Sequence, residues 1–525
     1  MISLSSVLDS SNVTTAVVTV AATALLLYLR QRSVSSNDRP WPVVPGALPL
    51  LGHFHLIGSL GRMVDQLEEW ADHYGREKGC FEITMPGGRR TLVICRQDRA
   101  LEVYKRRPRL VYRVGELREA GNSIGAYGLF TAEGSDWKAE RKVVHAALNS
   151  QAQLQNSYLP VLKDLALRLV QKWGKLVTQN GSSVVIFGDL ARVMADAITR
   201  TALGEDYDFL NNPSSTLATD VDSVLTGAVR RALTPIWYWR IPVIGQYLDG
   251  LGWSIARMRN TIRASVDRQE LDMTGDEDNS TRTFLQKLLA VMRSNRTTIS
   301  RKRVEGNVMT LFLAATDTTS KALLQALHIL ANSPDLQGKL RKEVVNFDWQ
   351  NATMDELYTR NPRLKSFLHE IHRVYSTPLI FLETAGKVDG FCGSTLPAGL
   401  QIFALNRYCN KQKWSPPEDV PNGPNNSPAV DFDPERYLVP APEKTWTCPG
   451  PSVKGTAFMP FGYGVRSCPG QKYSELLSYC VLVALLQTFD EIKMAPNHPL
   501  VKLIWDTISI VPDKPIELLF IPTRN

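Results

Sequence analysis

The chain has 525 residues, 44% of them hydrophobic, which suits a globular body with a large core and is far too polar for a multi-span membrane protein. Its net charge of +8 is spread without a long basic run, which argues against a nucleic-acid partner and for an acidic protein partner or anionic lipid. Seven cysteines without a CxxC spacing argue against a disulfide framework and for a reducing compartment.

Val13 to Leu29 carries no charge. As a helix it rises about 1.5 Å per residue, just enough to cross the hydrocarbon core. Asp9 precedes it and Arg30 and Arg32 follow, so the positive-inside rule puts the C-terminal body in the cytosol. A cleaved signal peptide is the rival reading, because Ala22-Thr23-Ala24 resembles a cleavage site. Against it, the preceding segment has no Lys or Arg, and a cut there would leave LLLYL exposed. Pro40, Pro42, Pro45 and Pro49 then stiffen the chain into a tether.

Phe81 to Met85 and Arg89 to Cys95 read as a hairpin around Pro86-Gly87-Gly88. Helical patterns dominate the rest of the chain, including a long helix from Val304 to Ala331 that Asn332-Ser333-Pro334 breaks. Short strands fit Ala385 to Phe403, with turns at Asp389-Gly390 and at Pro397-Ala398-Gly399. Ser415 to Pro428 reads as a surface loop, and Tyr473 to Phe489 as an apolar helix. Among the Asn-x-Ser/Thr sequons, those at Asn279, Asn295 and Asn351 fall in the expected cytosolic body, unlike Asn12, and should be unused.

CPG occurs twice, so the flanks must decide. Cys448 lies in TWTCPGPSV, with no glycine before the sulfur and no basic neighbour, and reads as an ordinary loop cysteine. Cys468 lies in FGYGVRSCPG just before a helix. Gly462 and Gly464 permit turns that bring N–H groups near a sulfur, and a helix N-terminus lowers a thiol pKa. Arg466 could pair with an anionic group of a cofactor. This is a place to hold a thiolate against a metal.

FGYGVRSCPG matches FxxGxRxCxG at every fixed position, and here the chain resembles the cytochrome P-450 superfamily. The resemblance runs from about Pro40 to the C-terminus. It implies a mainly α fold with small β-sheets (α+β), and haem b (iron protoporphyrin IX) with Cys468 as axial ligand of the iron. Phe461, Gly464 and Arg466 would shape that loop. Trp137 and Arg141, one helical turn apart in DWKAERK, resemble the WxxxR pair and would reach a haem propionate. Asp317 and Thr318 in AATDTT resemble the oxygen-activation segment, with Ala315 where a glycine is customary. Thr318 would stand beside dioxygen and Asp317 would relay protons. Glu370 and Arg373 form an ExxR at one helix face, completed by Arg436 in DPERY, a structural rather than chemical set. The histidines of HEIH lack the HExxH spacing of a zinc site. One departure stands out: ten residues after the ExxR arginine the family often has a propionate-binding arginine, and here that position is Glu383.

The expected layout is a luminal tip over 1–12, a transmembrane helix over 13–29, a tether over 30–52 and one haem-thiolate catalytic domain over 53–525. The resemblance implies a single-pass protein of the endoplasmic reticulum membrane that oxidises a lipophilic small molecule, of a style suited to fungal secondary metabolism of terpenoids or polyketides. Residues within 111–127, 311–316, 376–383 and 505–510 would line its pocket. Without a flavin or nicotinamide fingerprint, electrons would come from NADPH through a separate cytochrome P-450 reductase, with cytochrome b5 as a second donor. Lys138, Lys142, Lys454 and Lys472 are candidate docking residues. The alternatives are a reductase-independent haem-thiolate isomerase or dehydratase, and a non-catalytic haem-binding sensor. The acid–alcohol pair argues against both.

Overall fold

Residues 39–523 are described by a computed structural model, apart from 181–182, 213–215, 234–237, 242–243, 273–281, 295–298, 376, 378, 412–431, 443–444, 451–457 and 507–508. The expected membrane helix, the 415–428 loop, Lys454 and the sequons at Asn12, Asn279 and Asn295 lie outside the described residues. Among the described residues, no helix is long and apolar enough to cross a membrane.

The architecture is mainly helical with small sheets. The hairpin forms as β1 (Cys80–Met85) and β2 (Arg89–Ile94), paired antiparallel with Met85 opposite Arg89. They join β3 (Val111–Arg113), β4 (Ile380–Thr384) and β5 (Gln401–Ala404) in a sheet of order β1-β2-β5-β4-β3. The end of the Pro-rich segment packs on this sheet: Trp41 Nε1 donates to Glu82 at 3.1 Å, and Val44 is buried.

Five helices position the site: α1 (Gly134–Asn149), α2 (Leu159–Asn180), α3 (Phe187–Ile198), α4 (Arg301–Ala331) and α5 (Pro362–Tyr375). A sixth, α6 (Gln471–Thr488), is apolar nearly all round, and such a helix must be buried. It packs on α2, and α4 packs on α3, inside one large apolar cluster. Helix α4 starts after Ser300 and stops at Asn332, ahead of Pro334 at the start of the next helix. Its bounds exceed the expected ones by three residues at the N-terminus only.

Two strand expectations need correction. The turn assigned to Asp389-Gly390 lies at Cys392-Gly393 instead, where φ is 52° and 76°. The hairpin turn needs positive φ at both central positions, and Asp389-Gly390 is absorbed into a register shift between Val388 and Phe391. The strand over Ile380–Thr384 lies N-terminal to the expected pair. Past Thr488, Phe489 begins a strand rather than ending the helix.

A last hairpin, β6 (Leu503–Asp506) with β7 (Ser509–Pro512), pairs Asp506 with Ser509 and contacts α4.

Candidate functional site

Cys468 sits at the end of a loop closed by two backbone bonds. Its N–H donates to Phe461 O at 2.7 Å, and Gly462 N–H donates to Met459 O at 3.0 Å. Gly462 and Gly464 hold φ of 72° and 71°, a left-handed region that L side chains rarely adopt. The chain then turns through Gly464–Arg466 and enters α6 at Gln471. Among the described residues Cys468 is the one exposed cysteine; Cys80, Cys95, Cys409, Cys448 and Cys480 are buried and Cys392 is intermediate. Cys448 packs with Tyr437 and Leu438, and burial pushes its thiol up to about 12.

The Cys468 thiol is also pushed up by burial, against a Gly470 N–H and Arg141 that pull it down. The sulfur is accessible at its surface yet surrounded by protein. The expected lowering by the helix N-terminus is therefore outweighed, among protein groups alone, by desolvation.

Helix α4 brings a second surface to this region. It is largely buried, yet Ala314 is exposed, and Leu311, Ala315 and Thr318 are half-buried. These four share one face at i, i+3, i+4 and i+7. Thr318 Oγ1 donates to Ala314 O at 2.8 Å. Thr319 Oγ1 donates to Ser474 Oγ at 2.9 Å, tying α4 to the helix that follows Cys468. Asp317 points elsewhere. It is buried, contacts Lys321 Nζ at 2.5 Å, and accepts from Ser509 Oγ at 3.5 Å.

Of the two WxxxR residues, Arg141 Nη1 donates to Ser467 O at 2.7 Å, which clamps the cysteine loop. Trp137 is buried, and the Arg466 guanidinium lies 4.3 Å from its ring centre. Arg466 also donates to Ala132 O at 2.9 Å and pairs with Glu133. Glu370 accepts from Arg373 Nε at 2.7 Å, Arg436 Nε at 3.2 Å and Asp433 N–H at 2.8 Å, all buried. His372 of the HEIH sequence packs against Phe461 with the rings tilted by 57° and their centres 4.8 Å apart, and no group of three or more metal-ligating side chains occurs among the described residues.

Sequence reasoning missed a cluster of arginines. Arg107, Arg113 and Arg118 converge with Arg466 around Glu133 and Glu383. Burial, then Arg107 and Arg466, pull Arg113 down to about 9. Nε of Arg107, Arg113 and Arg466, and Nη2 of Arg107, are buried without a hydrogen-bond partner. Cations this dense and desolvated are short of anions. The density of arginine in RRPRLVYRVGELR is the signal that could have found them. Glu383 pairs with Arg118, so it does not repel a neighbouring anion as an unpaired carboxylate would. Within the other expected pocket segments, Thr316 is buried and Trp505 packs near Phe381, while 376, 378 and 507–508 lie outside the described residues.

These residues fit haem. One accessible thiol stands on a turn-closed loop, and three arginines with unmet donors, Arg107, Arg113 and Arg466, match a planar group bearing two carboxylates.

Comparison with known proteins gives the same direction. The family model described as Cytochrome P450 matches residues 42–520. Cytochrome P450 4V2 of Homo sapiens is 24% identical over 495 residues, covering 90% of this chain and 89% of that protein. The mitochondrial sterol 26-hydroxylase of Oryctolagus cuniculus is 26% identical over 76% of this chain and 73% of its own length. The 11-oxo-beta-amyrin 30-oxidase of Glycyrrhiza uralensis is 25% identical, with 81% of this chain and 77% of that protein covered. The crystal structure of a cytochrome P450, CYP102L1, superposes with a TM-score of 0.72 at 20% identity, over 92% of this chain and 99% of that chain.

Proposed function

We propose that this chain, which belongs to the cytochrome P450 family and is a haem-thiolate monooxygenase, holds haem b through Cys468 and oxidises a lipophilic small molecule at a membrane surface. The observation that carries the ligand assignment is the accessible Cys468 sulfur on a loop set by Gly462 and Gly464. When bound, haem supplies the activation of dioxygen and the transfer of one oxygen atom to substrate.

The protein's part is placement. Phe461 O fixes the backbone of Cys468, and Arg141 holds the loop through Ser467. Arg466, Arg113 and Arg107 receive the propionates, and Trp137 supports the Arg466 guanidinium. Glu370, Arg373 and Arg436 lock the scaffold behind the loop. On the opposite face, Ala314 and Ala315 leave room for a ligand and Thr318 offers a hydroxyl there, while Asp317, held on Lys321 away from that face, would relay protons toward it.

Two relatives are named for acting on a sterol and on 11-oxo-beta-amyrin, which supports a lipophilic substrate here. A terpenoid or polyketide of fungal secondary metabolism fits that reading. Electrons would reach the site from NADPH through a separate cytochrome P450 reductase, with cytochrome b5 as a second donor. Lys138, Lys142 and Lys472 are exposed near the cysteine loop and suit an acidic flavoprotein. The Val13–Leu29 segment would anchor the enzyme in the endoplasmic reticulum membrane, with its body in the cytosol.

The test is the carbon-monoxide difference spectrum of the reduced protein, wild type against Cys468→Ala. The wild type should give the long-wavelength thiolate band and the variant should lose it. A band that persists in the variant overturns the assignment.

A further inference from the structure

We propose that Lys321 and Asp506 form the solvent-connected end of a proton route to Asp317. The inference rests on reading Asp317 and Thr318 as the acid and alcohol of oxygen activation.

Three ionisable groups stand in contact. Asp506 Oδ2 is 2.9 Å from Lys321 Nζ, and Lys321 Nζ is 2.5 Å from Asp317 Oδ1. Their side chains are 40%, 2% and 1% exposed in that order, so the string runs from solvent to the interior. Lys321 lies four residues after Asp317 on α4, and Asp506 comes from β6, brought over by the hairpin that packs on the helix. Ser509 on β7 faces the second oxygen of Asp317 at 3.5 Å.

The packing asks for a reason. Around Lys321 the helix buries Leu323, Leu324 and Leu327, and an apolar residue would avoid desolvating two charges. An ion pair alone needs only Lys321 and Asp317. The second, half-accessible carboxylate is what a route from water requires.

The transfer balances. The Asp506 carboxylate takes a proton from a solvent hydronium ion, which becomes water. Lys321 Nζ gives one of its protons to Asp317 Oδ1 and accepts the one held on Asp506. Asp317 ends neutral, Lys321 is again an ammonium and Asp506 again a carboxylate. One proton has moved inward and no electrons have moved. Burial pulls Lys321 down, but Asp317 and Asp506 outweigh it and hold it above its ordinary value, so it stays charged between transfers.

The experiment uses the haem-loaded protein, NADPH and a supplied cytochrome P450 reductase, without substrate. It reads oxygen consumption in H2O and D2O. Asp506→Asn and Lys321→Met should each slow consumption about tenfold and raise the solvent isotope effect, less than the ~10²–10⁴-fold of losing a general acid because water partly replaces Asp506. Asp506→Glu should restore both. Should Lys321→Met fail to load haem, the Asp506 pair still decides, because that side chain reaches solvent. Asp317→Asn is the reference. If it behaves as wild type, the acid reading fails and takes the route with it. If it slows while Asp506→Asn does not, the route alone is overturned. If Asp506→Asn and Asp506→Glu slow equally without an isotope change, Asp506 is a structural tether and the proposal falls.

Discussion

Arg118 Nη2 donates to Glu383 Oε1 at 3.0 Å, so the carboxylate that stands where a propionate-binding arginine is customary is paired. The two residues come from distant parts of the chain. Tyr112 on β3 stands opposite Glu383 on β4, and Arg118 Nε also donates to Arg113 O at 3.0 Å. The edge strand therefore brings the cations that β4 lacks. Arg113, stacked 4.0 Å from the Phe130 ring centre, is the best placed of them.

Arg113→Leu should loosen haem. A hydrogen bond to a charged group contributes about 1.5–3 kcal/mol, and about 1.4 kcal/mol is tenfold in an equilibrium constant. Transfer of haem to excess apomyoglobin should be at least about tenfold faster than from wild type, with Arg113→Lys in between. Transfer at the wild-type rate would show that Arg113 meets no propionate.

Glu370→Gln attacks the scaffold rather than the chemistry. Glu370 is fully buried and receives both Arg373 and Arg436. Neutralising it strands two buried guanidinium groups, and breaking such a set costs about 3–5 kcal/mol. Denaturant titration of the apoprotein should show that loss. A midpoint within error of wild type would mean that water already satisfies the arginines.

The parts of the site that were readable in advance are local in sequence. The turns about Cys468 and the Glu370–Arg373 spacing each lie within one loop or helical turn. What escaped is long-range. Arg118 meets Glu383 only because β3 pairs with β4, and Lys321 meets Asp506 only because a C-terminal hairpin packs on α4. Two Gly-containing dipeptides competed for one hairpin turn. Both Gly390 and Gly393 have positive φ, so local composition could not choose between them.

His369 and His372 set an acid limit on stability. Burial lowers them to about 3 and about 4, and both ring nitrogens of His369 lack a hydrogen-bond partner. Below their ordinary value near 6.5 the unfolded chain binds protons that the folded state refuses. Stability is therefore complete above about pH 6.5 and falls as the pH drops toward 4. Each histidine contributes about 1.4 kcal/mol per pH unit, or roughly 2 kcal/mol between pH 6.5 and 5. His369→Phe can keep the edge contacts with Tyr437 and Phe458. Urea titrations from pH 7 to 5 should show a markedly shallower loss in that variant. An unchanged slope would place the acid sensitivity elsewhere.

Gly306 on α4 decides how closely the 124–132 segment approaches the helix. A Cβ there would lie 1.7 Å from Tyr127 O and 2.5 Å from its carbonyl carbon, and backbone cannot yield as a flexible side chain does. The segment is pinned beside this point. Leu129 N–H donates to Asn307 Oδ1 at 2.9 Å, and Asn307 Nδ2 donates to the buried Glu140 of α1 at 3.1 Å. Gly306→Ala gains up to about 1 kcal/mol of helix propensity. Overpacking of this kind costs about 1–3 kcal/mol, and the displaced segment would also lose its bond to Asn307. The clash should therefore win. Hydrogen exchange over residues 124–132 should rise sharply while the Cys468 loop, clamped separately by Arg141, keeps its protection. If those amides stay protected and stability rises by the propensity gain, the segment yields freely and Gly306 is not what holds it against the helix.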